Sequence, residues 1–92
     1  MEFEWDISKA AANFRKHGVS FEEAIYALGD RLIVEELDDR EDYGEDCIVA
    51  YAKGKTEILT IVYTQRGEFA RIISARRATR NEQNDYYHEN TS

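Results

Sequence analysis

Between Arg66 and Arg80 the chain carries Arg66, Arg71, Arg76, Arg77 and Arg80 against the single carboxylate of Glu68. Guanidinium groups are planar, permanently charged five-donor forks, suited to phosphate oxygens and to negative charge that builds up in a transition state. Such chemistry also needs a proton-transfer group. Of the two histidines, His88 lies in a C-terminal stretch expected to fray over Glu89–Ser92, so His17 is the candidate acid or base, since an unperturbed imidazole titrates near 6.5. Each residue has a plainer reading. His17 falls where a helix C-terminus favours a partly charged ring. Arg76 can be a salt bridge to Glu82, and Arg71, alternating with Ile73, a buried ion pair. Arg66 can be a solvated hairpin tip, and Lys16, Lys53, Lys55 and Arg80 solvated surface charges.

Alternation in Glu2-Phe3-Glu4-Trp5-Asp6 predicts a short strand with Phe3 and Trp5 facing the core. Asp6 or Ser8 caps a helix over Lys9–Lys16 that stops at Gly18. Ser20-Phe21-Glu22-Glu23 is a capping box, and Phe21, Ala24, Ile25 and Leu28 follow at helical spacing, completing an αα-hairpin. Strands are expected over Arg31–Glu36, Cys47–Ala52, Thr56–Thr64 and Glu68–Ala75, with turns at Lys53-Gly54-Lys55 and Gln65-Arg66-Gly67. Thr79-Arg80-Asn81-Glu82 opens a last helix over Asn81 to about His88. The fold class is therefore α+β, one domain over residues 1–92: an N-terminal strand and αα-hairpin, an antiparallel four-strand meander and a C-terminal helix.

The net charge of −7 hides an asymmetry, because residues up to Asp46 carry 5 basic and 14 acidic side chains and the rest 7 and 5. Eight carboxylates crowd Glu35–Asp46, a solvated loop by default or else a docking surface for a basic partner. That run does not fit a calcium loop, since Tyr43 or Ala50 falls where glycine or glutamate is required. His17, Cys47 and His88 lack zinc spacing, so no metal or cofactor is expected. Cys47 is a packing residue, and no apolar run approaches the roughly 20 residues of a membrane helix. A cytoplasmic protein without membrane contact is the expectation.

Phe3-Glu4-Trp5-Asp6, Lys9, Asn13, Lys16-His17-Gly18-Val19-Ser20-Phe21-Glu22-Glu23-Ala24 and Ile72-Ile73-Ser74-Ala75-Arg76-Arg77-Ala78-Thr79-Arg80-Asn81-Glu82 resemble the BrnT toxin family. The resemblance implies a RelE-like fold and a ribonuclease toxin of a type II toxin–antitoxin pair. Its partner would be a BrnA-like antitoxin, with operator DNA reached only through that complex. Metal-free RNA cleavage would proceed by 2′-hydroxyl attack, with His17, Arg66, Arg71 and Arg76 as catalytic candidates. Lys16, Lys53, Lys55, Arg77 and Arg80 would contact RNA, and by analogy with RelE-like toxins Tyr63, Tyr86 and Tyr87 join Lys53 and Lys55 as reserve active groups. The alternative is a non-catalytic antitoxin-binding and corepressor module of the same fold.

Overall fold

The computed structural model describes residues 2–38 and 47–91. The elements run β1 (Glu2–Glu4), α1 (Ile7–His17), α2 (Phe21–Leu28), β2 (Val34–Asp38), β3 (Cys47–Lys53), β4 (Ile58–Arg66), β5 (Phe69–Arg77) and α3 (Arg80–Asn90). This is the α+β order read from the sequence. The strands form one sheet in the order β1-β5-β4-β3-β2, antiparallel except that β1 lies parallel to β5.

Local chemistry sets the helix ends. Asp6 accepts from the amides of Ser8 and Lys9, so it rather than Ser8 is the cap, and α1 starts at Ile7. Gly18 ends α1 with a left-handed φ of 71°, its amide donating to the Phe14 carbonyl. Both capping boxes are formed, at Ser20/Glu23 and Thr79/Glu82. On one sheet face α1 and α2 cover the main core, where Val19, Phe21, Ala24 and Ala27 meet Ala50, Ala52, Leu59, Ile61, Tyr63, Ala70, Ile72 and Ala75. Phe3 and Trp5 pack against it, Trp5 meeting Phe21 edge to face. On the opposite face α3 covers a smaller cluster of Tyr51, Ile58, Ala78 and Tyr86.

Several boundaries differ from expectation: β4 spans Ile58–Arg66 rather than Thr56–Thr64, so Gln65 and Arg66 are strand residues and the turn falls on Gly67 and Glu68. Arg31 and Leu32 form a turn before β2, because the Asp30 carboxylate accepts from the Leu32 amide and holds the chain bent. Arg76 and Arg77 belong to β5 rather than to a junction. Far from fraying after His88, α3 runs to Asn90, whose amide donates to the carbonyls of Leu32 and Tyr86. Most of the acidic run, with the calcium-loop reading placed on it, lies outside the described residues.

The β4–β5 ladder is irregular. Val62 pairs with Ser74 and Tyr63 with Ile72, which leaves Ile73 as an extra residue on β5. Alternation reverses across such a bulge. Ala70 and Ile72 before it, and Ala75 after it, all enter the main core.

Candidate phosphate-binding cleft

The bulge decides which arginines share a face. Five residues apart in a regular strand, Arg71 and Arg76 would point to opposite sides. With Ile73 extra, Arg71 lies opposite Thr64 and Arg76 opposite Thr60, both on the α3 side, while Arg77 opposite Leu59 falls on the αα-hairpin side. Ile73 therefore does not set the face of Arg71 by simple alternation. His17 accompanies Arg77, whose Nη1 donates to the His17 carbonyl at 3.1 Å. Arg66 ends β4 at the β4–β5 hairpin, beside Phe69. Thus the structure separates His17 from Arg71 and Arg76, which the sequence reading names together as catalytic candidates.

Arg76 is anchored end-on. Nη1 and Nη2 donate to Oε1 and Oε2 of Glu82 at 2.7 and 2.9 Å, and Nη1 also reaches the Arg77 carbonyl. Glu82 accepts in addition from the Thr60 hydroxyl at 2.8 Å and the Thr79 amide at 2.9 Å. The Arg76 hydrogen bonds, opposed by burial, hold the Glu82 carboxyl down at about 2, and the same pairing raises the Arg76 pKa. Beside them, Tyr51 is buried and shifted up, first by burial and then by Glu36, Glu82 and Asp85, with Arg76 alone acting the other way. Glu36 and Asp85 add negative charge beside the closed Arg76–Glu82 pair. Farther along, Arg71 lies 3.8 Å from Glu4.

A different balance holds where the β3–β4 turn meets the start of α3. A cleft of about 330 Å³ is lined by Lys53, Thr56, Glu57, Ile58, Arg77, Ala78, Gln83 and Tyr87. The Arg77 side chain is 59% exposed, with Nε 2.7 Å from Glu57 and Nη1 on the His17 carbonyl, so two contacts hold the guanidinium in the cleft wall. Tyr87 is half-exposed and stands edge to face against Tyr86. Lys55, in the same turn, sits 5.5 Å from the Tyr26 ring. Arg80, exposed, opens α3, and Lys16, exposed, lies in the last turn of α1 beside His17.

Two reserve tyrosines are already engaged. The Tyr63 hydroxyl donates to Glu35, and burial with that carboxylate raises its pKa. Tyr86 is buried and donates to Asp30 at 2.6 Å, which with burial lifts its pKa to about 12. Asp30 in turn lies below its ordinary value. Burial opposes this but is outweighed by Tyr86 and the amides of Leu32 and Lys53. Sequence reading missed Tyr51, Thr60 and Asp30, because their roles follow from strand register and loop docking rather than from spacing.

Comparison with protein families places the chain among the ribonuclease toxins of type II toxin–antitoxin systems. The matching family model is BrnT, aligned over residues 5–82, and the chain belongs to that family. No curated protein matches it. Among the described residues, no helix is long and apolar enough to cross a membrane.

Proposed function

We propose that this BrnT toxin is a metal-independent endoribonuclease whose RNA lies across the Lys53–Arg77–Tyr87 cleft. One observation carries the reading: that cleft gathers two cations and a half-exposed aromatic ring with Glu57 as its one carboxylate, in a chain whose formal net charge is −7. Lys53 and Arg77 hold phosphate oxygens, and Tyr87 offers a face for a base. The Arg77 guanidinium meets the charge that develops on the phosphorane when the 2′-hydroxyl attacks. His17, tethered to Arg77 through its carbonyl, serves as proton-transfer group. Lys16, Lys55 and Arg80 flank the path as further RNA contacts. Arg71 and Arg76, paired with Glu4 and Glu82 on the far face, hold the fold, and Arg66 lies at the distant hairpin. A BrnA-like antitoxin neutralises the toxin, and operator DNA is reached only through that complex.

The second reading, a non-catalytic antitoxin-binding module, draws on the carboxylate beside each of Arg71, Arg76 and Arg77. Purified, antitoxin-free protein incubated with RNA in chelator separates the two. The expected products carry 2′,3′-cyclic phosphate and 5′-hydroxyl ends, with DNA resistant. Arg77→Ala should slow cleavage by about 10²-fold or more, the usual cost of one oxyanion donor. Intact RNA with the wild type would leave the binding module. Cleavage lost in Arg76→Ala at unchanged folded fraction, but kept in Arg77→Ala, would move the site to the α3 face.

A further inference from the structure

The cleft does not end at Lys53. That residue also lines a second hollow, of about 650 Å³, formed with Tyr26, Gly29, Asp30, Arg31, Leu32, Gly54 and Lys55. Tyr26 is 58% exposed and Tyr87 50%, so two aromatic rings stand on either side of the shared lysine. Across both hollows the cations are Arg31, Lys53, Lys55 and Arg77, and the carboxylates are Asp30 and Glu57. Neither carboxylate is idle. Asp30 accepts from Tyr86, Leu32 and Lys53, and Glu57 holds Arg77. Within the two hollows cations outnumber carboxylates and each hollow holds an aromatic ring, while Glu22 and Glu23 border Tyr26 and Lys55 on the α2 side.

We infer that the two hollows form one track for single-stranded RNA, with Tyr26 and Tyr87 as stacking platforms and Arg31 as a phosphate contact beyond the cleavage cleft. This rests on the ribonuclease reading and extends it to a substrate class. Paired bases cannot stack on protein rings, whereas unpaired ones can, so an aromatic ring at each end of a cationic path selects unpaired strands. Lys55, which lies over Tyr26 in the free protein, occupies the place a base would take. On binding, its ammonium leaves the ring for a phosphate.

The test is fluorescence anisotropy of the full chain with a labelled 2′-O-methyl oligonucleotide, which cannot be cleaved by 2′-hydroxyl attack. Single-stranded and hairpin-duplex forms are compared for the wild type, Tyr26→Leu, Arg31→Gln and Lys9→Gln, the last lying on the exposed side of α1. Tyr26→Leu should weaken single-strand binding about fivefold or more, the lower range for loss of one stacked base. Arg31→Gln should flatten the salt dependence by about 0.7 in log–log slope. Lys9→Gln should bind as wild type, and the duplex should bind more weakly than the single strand throughout. Unchanged affinity in Tyr26→Leu and Arg31→Gln, or equal affinity for duplex, overturns the track even if the wild type cleaves RNA. Binding that depends on Tyr26 and Arg31 in a protein that cleaves nothing leaves the track standing and removes the nuclease chemistry instead.

Discussion

Glu82→Gln removes one charge while keeping an oxygen for Thr60 and Thr79, so it isolates what the carboxylate contributes to anchoring Arg76. The wild-type carboxyl is held at about 2 rather than at its ordinary 4.5. Each pKa unit is worth about 1.4 kcal/mol, which sets an upper figure of about 3 kcal/mol. The Arg76 side chain is 38% exposed against 17% for Glu82. Solvent screening on the arginine side lowers the expected loss to about 2 kcal/mol. Because the folded-state pKa is depressed, this stability is fully present above pH 4.5 and disappears as pH falls toward 2. Urea unfolding of wild type and variant at neutral pH and at several acidic values measures it. The gap between the two should be widest near neutrality and close progressively in acid. A gap that does not vary with pH, or one below about 0.5 kcal/mol at neutrality, would refute the claim that the charged pair anchors α3.

Other substitutions probe the same scaffold. Asn13 is buried, donates to the carbonyls of Val19 and Ala75, and accepts from the Ala75 amide, so Asn13→Ala should cost about 3 kcal/mol by urea unfolding. Asn13→Asp should also destabilise strongly, since a carboxylate would face two carbonyl oxygens. Tyr86→Phe removes the hydroxyl held by Asp30 and should cost about 1 to 2 kcal/mol, with faster amide exchange along α3. Gly18→Ala meets no steric block, the nearest atom to the new methyl being Arg77 Nη1 at 3.7 Å, but its φ of 71° should cost about 1 kcal/mol in thermal unfolding.

Helix ends were legible because capping is local: Asp6, Ser20 with Glu23, and Thr79 with Glu82 act within a few residues of themselves. Strand order along the chain was legible for the same reason, through alternation and turn residues. Faces were not. One extra residue at Ile73 reverses the alternation of β5, and nothing in its side chain announces that position. Long-range polar contacts were equally hidden, as with Asn90 on Leu32 and Tyr86 on Asp30, because each joins segments more than fifty residues apart. The arginine cluster was visible as composition, yet its division between two faces depends on register. Arg76 and Arg77 are neighbours in the chain and point to opposite sides of the sheet.

The parallel pairing of β1 with β5 imposes an order of events during synthesis. Glu2 finds its partner only at Phe69, so the opening strand leaves the ribosome long before the segment it must join. Until β5 emerges, the sheet lacks one margin and Asn13 has no Ala75 to grip. A nascent toxin thus has an incomplete sheet, and its cleft lacks Arg77, until β5 has been made.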